Sequence, residues 1–431
     1  MELTKRINPK TRESLYYKKH ESGLDIYLMP RKGYSQSYAI FGTKYGSVDS
    51  EFVVPGEKQA TKVPDGIAHF LEHKMFDQPD GSNVFDEFSK FGGNANAFTS
   101  FNMTAYLFSA TANLHENLHT LMDYVQRPHF TPESVQKEQG IIGQEIRMYD
   151  DNAGWKVFFN FLGCLYQNNP VKLEIAGTIE SIAKIDADLL YKCYNTFYNL
   201  SNMTIFVTGD FDVEKTLSVI EENILKNEPF AEEIKRIYPE ETEAIAKSFT
   251  SQKLSVAMPM FMMGFKDNDV GYCGEKLLKK TIEMEILVEM LFGKGSALYN
   301  ALYGEGLINA NFNAEYNPQA DYSFTSIDGE SSDPKKVYNK MIAYIEGLRE
   351  SGLSRADFER IKKVVWGNYI RSYNNIEEYA HAFLTMQFLD VSYFDYYDVY
   401  KTVTFEDVEK RFYAHFQPKL AALSVVEPVS E

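Results

Sequence analysis

The residues best suited to chemistry lie in Gly66–Phe76, GIAHFLEHKMF, where His69, Glu72 and His73 stand in an HxxEH arrangement. On a helix His69 and His73 fall one turn apart on one face with Glu72 beside them, while Ile67, Phe70, Leu71 and Met75 cover the rest. Two imidazoles on a polar stripe of an otherwise apolar helix have the geometry of adjacent metal ligands, and a neighbouring carboxylate can act on metal-bound water. A second pattern, His115-Glu116-Asn117-Leu118-His119, matches the HExxH zinc motif. Its helix carries Leu114, Leu118, Leu121 and Val125 on one narrow stripe, which leaves His115, Glu116 and His119 facing water. This second pattern is expected to have no shaped cavity and no catalytic role.

A catalytic zinc normally takes three protein ligands and keeps one position open. The helix expected from Pro132 to Tyr149 supplies candidates for the third, because Glu138 and Glu145 are spaced two turns apart on one face. One can bind metal while the other orients a ligand, and spacing alone leaves open which does which. Gly140 and Gly143 in the same helix lower its propensity and suggest close packing against another element.

The elements that must position these residues alternate in type. Strands are expected at Gly23–Met29, Tyr38–Thr43, Thr104–Ala110, Met203–Thr208 and Leu254–Phe265, from their β-branched and aromatic content. Helices are expected at Ile67–Phe76, Asn83–Phe91, Leu114–Gln126, Pro132–Tyr149 and Asp188–Tyr198, so the class is α+β. The stretch from Lys226 to Lys253 is the most charged and least periodic, and it divides the chain into 1–228, a linker 229–250, and 251–431. The two parts resemble each other. FTPESVQKEQGIIGQEI from Phe130 lies over LSRADFERIKKVVWGNY from Leu353, pairing Val135 with Phe358, Ile141 with Val364 and Ile142 with Val365. VFDEFSKFGGNANAF from Val84 lies over LYNALYGEGLINANF from Leu298, pairing Phe88 with Leu302, Gly92 with Gly306 and Phe98 with Phe312. Two agreements in the same order indicate one unit used twice.

Composition narrows the partners. The 431 residues hold 44 Lys plus Arg against 61 Asp plus Glu, a net charge of −17, which argues against nucleic acid or an anionic membrane surface. A hydrophobic fraction of 44% with 14% aromatics excludes a disordered chain. Cys164, Cys193 and Cys273 are sparse and unpaired in spacing, as expected in a reducing compartment. MELTKRINPK leads into no apolar segment, and the run Val256–Phe265 is well short of the ~20 residues that span a bilayer. A cytoplasmic protein without membrane insertion is therefore expected.

The HxxEH helix, the GGNANAFTSFNMTAY segment, the QKEQGIIGQE helix with its Glu-x6-Glu spacing, and a second half of like pattern follow one another in order. Together they resemble the inverzincin metallopeptidases of the pitrilysin and insulinase family, in the short-chain branch that includes mitochondrial processing peptidase and bacterial processing peptidases. The resemblance implies a LuxS/processing-peptidase-like metallohydrolase fold of two tandem homologous domains, each a mixed, mostly antiparallel sheet packed with helices. It implies one Zn2+ per chain held by His69, His73 and Glu145, with Glu72 as general base and Glu138 ordering a histidine ligand. It also implies that Asn96 and Ala97 contact the backbone of a peptide substrate, added as a strand to an exposed edge near Asn94–Tyr106.

The second half departs from that pattern. Under the internal register Glu138 falls on Ile361 and Glu145 on Asn368, while His69 and His73 fall on or near Glu283 and Leu287, so no zinc site is expected there. Active relatives often carry Arg and Tyr in a segment resembling LREKxGLAY. Here ALYGEGLIN places Leu302 and Asn309 at those positions. The gap suggests a homologous partner subunit, in a heterodimer or homodimer, that supplies the missing groups. GKGS at Gly293–Ser296 lacks the spacing of a phosphate loop. The expected function is a zinc metalloendopeptidase cleaving unfolded peptides in a two-domain chamber, with a bias toward cationic peptides from the acidic charge. The alternative is a non-catalytic peptide-binding or structural subunit of a peptidase complex.

Overall fold

Apolar alternation in the first half is realised as a seven-stranded sheet. In the computed structural model, which describes residues 2–429, its order is Thr4–Ile7, Ser14–Lys19, Asp25–Pro30, Met203–Gly209, Ser37–Thr43, Thr104–Ala110 and Asn94–Thr99. Asp25–Pro30 and Met203–Gly209 run parallel, and the other neighbours are antiparallel. Ser37–Thr43 and Met203–Gly209 are buried at every residue, as strands covered on both faces should be. Asn94–Thr99 forms the far edge, paired on one side to Thr104–Ala110 and to no other strand among the described residues.

The pleat of that edge strand decides what each residue can touch. Ala95, Ala97 and Thr99 lie opposite Phe108, Tyr106 and Thr104, on the face covered by the helices Ile67–Lys74, Val84–Lys90 and Leu114–Val125. Phe88 meets Phe108 there, and Tyr124 meets Tyr106 edge-on at 5.8 Å. Asn94, Asn96 and Phe98 point to the other face. That face is covered by the helix Ile376–Gln387, whose Phe383 stacks on Phe206 at 4.4 Å and meets Tyr27 at 5.1 Å.

The second sheet runs Phe249–Leu254, Ala421–Pro428, Met260–Asp267, Ser323–Glu330 and Asn313–Asn317, with only the first pair parallel. One face receives the apolar helix Ala153–Leu165, which sets Phe161 against Phe324, and the other receives Phe405–His415, where His415 Nε2 lies 2.6 Å from the Thr325 hydroxyl. The single strand expected over Leu254–Phe265 is split in two around Pro259, which has no N–H to give to a ladder.

Two compact units result, and neither is continuous in sequence. The first comprises residues up to Ile146, Leu173–Tyr238 and Ser372–Phe388, and the second comprises Arg147–Lys172, Pro239–Arg371 and Leu389 onward. The expected break at 229–250 falls where the chain changes unit, but a contiguous division misses both exchanged segments. The cause is that Ala153–Leu165 buries Val157, Phe161, Leu162 and Leu165 on the second sheet, whereas Ile376–Gln387 buries Phe383 and Leu384 on the first. The expected linker is also tied down. Lys235–Arg236 pairs with Glu51–Val53 in a small sheet. Glu241 accepts the backbone N–H groups of Gln167, Asn168 and Asn169 and the Lys266 ammonium; against the pull of burial these bonds hold its carboxyl at about 2.

The internal register holds along the long helices. Pro132–Asp150 and Arg355–Ser372 bury Val135 and Ile142 opposite Phe358 and Val365, and both expose the paired Ile141 and Val364. Gly92 and Gly306 both close their helices with positive φ, 70° and 68°. Beyond those glycines the register fails, because the strand starts at Asn94 in one copy but only at Asn313 in the other. Phe98 therefore lies in its strand and Phe312 before it, a correction to their pairing caused by a longer connection in the second copy.

Candidate active site

The motif helix Ile67–Lys74 opens from Gly66 at φ 91°, where a Cβ would sit 2.4 Å from the Ala176 carbonyl oxygen. The left-handed turn and the close approach both require glycine. The helix is short and buried along nearly its whole length, His69 and Glu72 included. Burial of an imidazole and a carboxylate, with the half-buried His73 beside them, needs compensating partners.

The partners come from Pro132–Asp150. Its buried stripe is Val135, Glu138, Ile142 and Ile146, and Glu145 lies half-buried on the flank. Glu145 Oε1 is 3.6 Å from His69 Nε2, and its Oε2 is 3.4 Å from His73 Nε2. The two imidazole rings are 4.6 Å apart. Nitrogen and oxygen atoms of His69, His73 and Glu145 lie within 4.8 Å of one another, the one such group found among the described residues. Glu138 Oε1 instead accepts from His73 Nδ1 at 3.0 Å. The two carboxylates thus meet the histidines differently: Glu145 faces the convergent Nε2 atoms, and Glu138 meets His73 at Nδ1 on the other side of the ring. Two nitrogens and one carboxylate are a donor set that suits zinc, and the convergence of both Nε2 atoms fits a metal between them.

Glu72 stands beside this group. Its Oε2 accepts a hydrogen bond from the Thr99 hydroxyl at 2.6 Å. Burial pushes the Glu72 carboxyl above its ordinary value, while His69, Thr99 and His73 pull it back. For His73 burial disfavours the charged ring, but the Glu138 hydrogen bond and the charges of Glu72, Glu145 and Glu138 outweigh it and raise its pKa. Thr99 was not among the residues singled out from sequence. The signal was available in the alternation NAFT, which puts Thr99 on the same face as Ala97.

The other expected residues are placed as follows. Ala97 is half-buried on the motif-helix face, whereas Asn96 is exposed on the opposite face with its Oδ1 accepting the Ala97 N–H at 2.9 Å. In the HExxH pattern His115 Nε2 lies 3.2 Å from the Thr216 hydroxyl, and exposed His119 bonds to Asn223. The close packing expected at Gly140 and Gly143 is not found: a Cβ at either would meet no atom within 4 Å. In the second half Leu302 is 1% exposed, and Asn309 donates to Glu330 at 2.7 Å. Glu283 is buried against Arg411 and Lys279, and Leu287 is wholly buried.

The chain as a whole is similar to known proteins. Residues 52–179 match the family model described as Insulinase (Peptidase family M16), and residues 184–365 match the one described as Peptidase M16 inactive domain. The chain is 44% identical over 400 residues to the Bacillus subtilis zinc protease YmfH, covering 92% of each. It is 23% identical to the zinc protease PqqE of Helicobacter pylori, covering 85% of this chain and 83% of that one. Among solved structures, an M16-like peptidase from Alicyclobacillus acidocaldarius superposes with a TM-score of 0.93 at 35% identity, covering 98% of this chain and all of the other. Pitrilysin shares the fold at a TM-score of 0.76 and 15% identity, over 99% of this chain and 46% of its own. No helix among the described residues is long and apolar enough to cross a membrane.

Proposed function

The chain belongs to the insulinase family of peptidases, M16, and from that premise we propose that it is a zinc-dependent metalloendopeptidase acting on unfolded peptides. The observation that carries the proposal is the convergence of His69, His73 and Glu145 beside a buried Glu72 that already has one oxygen held by Thr99. When bound at His69, His73 and Glu145, zinc supplies Lewis acidity toward water and the scissile carbonyl. Glu72 takes the water proton on its free oxygen and delivers it to the leaving amine. Glu138 keeps His73 Nδ1 occupied so that Nε2 is the nitrogen presented for coordination.

The peptide adds to the open edge of Asn94–Thr99, where Asn96 and Ala97 contact its backbone. Leu302 is in the core and Asn309 is engaged by Glu330, so neither position offers the Arg or Tyr groups often found there in active relatives. A homologous partner subunit would provide them. A cytoplasmic location fits the three free cysteines, two of them buried with thiols raised to about 11 and about 12 by burial.

The test pairs metal analysis with Glu72→Gln on a quenched peptide. One zinc per chain is expected in both proteins, with cleavage lowered at least ~100-fold in the variant, the scale of general-base loss. Retained cleavage in Glu72→Gln at full zinc occupancy would remove this assignment and leave a peptide-binding subunit as the better reading.

A further inference from the structure

We propose that His381, carried by the helix Ile376–Gln387 from the second half of the sequence, forms with Phe98 and Tyr38 a subsite that reads a substrate side chain on the sheet face opposite the metal ligands. The proposal rests on the peptidase reading and adds a determinant of its selectivity. In Asn94–Thr99 successive side chains alternate: Thr99 reaches Glu72, and Phe98 points the other way. A peptide added to this edge continues the alternation. Its side chains are therefore shared between two surfaces, one bearing His69, Glu72 and His73 and one bearing Phe98.

On that second surface the Phe98 ring is stacked on His381, with centroids 4.9 Å apart and planes 20° apart. His381 Nε2 lies 2.7 Å from the Tyr38 hydroxyl, which fixes the ring, and Tyr38 itself is buried. One turn earlier on the same helix Glu377 accepts from Gln36 at 3.0 Å and is exposed. Burial holds the His381 imidazole below its ordinary pKa against the pull of Glu377. The neutral ring stacks against Phe98 and backs it as a two-ring platform, both rings remaining partly exposed. A flat neutral platform favours an aromatic side chain, and Glu377 beside it disfavours an acidic one.

The experiment uses the full-length zinc-loaded protein and a peptide series in which Phe, Ala or Asp is placed in turn at each position flanking the scissile bond. Wild type, His381→Ala and His381→Phe are compared for kcat and KM, and for binding of the same peptides in a Glu72→Gln background. A preference for Phe over Ala and Asp is expected at one position. His381→Ala should reduce it roughly 3- to 10-fold, the scale of one aromatic pair, with the loss appearing in KM rather than kcat. His381→Phe should keep it. Unaltered selectivity at every position in a His381→Ala protein that melts like the parent overturns the subsite, as does a loss in kcat alone. If His381→Ala does not fold, His381→Gln, which can still meet Tyr38 but offers no ring, is read by the same criteria. His381-dependent binding in the Glu72→Gln background, with no cleavage by wild type, would uphold the subsite while removing the peptidase reading.

Discussion

At the scale of single residues, the separation between Glu72 and its neighbours rests on which atom each side chain offers. Glu72 has one oxygen taken by Thr99, so the other is the oxygen free to accept a proton. Thr99 is itself steadied by Thr104, 3.3 Å away, whose hydroxyl donates to the Tyr45 carbonyl. On the proposed mechanism Thr99 acts through Glu72 as a positioning residue. Replacing Thr99 with Val keeps the shape and removes the donor, which frees the carboxylate to rotate and leaves its buried oxygen unpaired. Thr99→Val should lower kcat by about 10-fold, as expected for about 1.4 kcal/mol of lost orientation, with little change in KM. Thr99→Ser should recover most of it. A Ser variant as impaired as Val would show that the methyl group, and not the hydrogen bond, matters. The pair His69 and His73 was legible in the sequence because helical spacing fixes it by arithmetic. Thr99 was harder to find, because its role depends on which face of a strand meets a helix distant in sequence.

At the scale of elements, the same contrast recurs. Pro132–Asp150 and Arg355–Ser372 were recognisable as copies because a helix stripe repeats with a fixed period, down to the exposed Ile141 and Val364. The connection after Gly306 was not legible, since an insertion in a loop leaves no periodic trace. Gly140 illustrates how a composition signal can mislead. Its presence suggested a tight crossing, yet it is exposed with nothing within 4 Å of a Cβ. Its backbone is helical, so alanine fits without strain and restricts the unfolded chain more than glycine does. Gly140→Ala should therefore raise stability by about 0.5–1 kcal/mol in chemical denaturation, with the metal content unchanged. A destabilised variant would mean that this position cannot accommodate a Cβ after all.

At the scale of the whole molecule, the two exchanged helices decide what can fold alone. The sequence division at 229–250 identifies two copies of one pattern, but an apolar helix carries no mark of which sheet it will cover. Ala153–Leu165 would serve either sheet by composition, and only packing assigns it to the second. The consequence can be measured. A fragment ending at Tyr238 lacks Ile376–Gln387, and with it Tyr379, Ala380, Phe383 and Leu384, which are all at most 2% exposed in the full chain. Their removal uncovers the sheet face around Ile40, Leu107 and Phe206. Each large buried side chain contributes about 1.5–3 kcal/mol, so losing three of them costs an amount comparable to the whole net stability of a domain. The fragment should therefore bind a hydrophobic dye and show no cooperative melting, although it contains every candidate metal ligand. Joining residues 372–388 to its end through a flexible linker should restore a cooperative transition and zinc binding together, because the helix covers the same sheet whose edge strand holds Thr99 against Glu72. Cooperative melting of the bare fragment at the temperature of the full chain would show that the exchanged helix is dispensable, and that the sequence division was also the physical one.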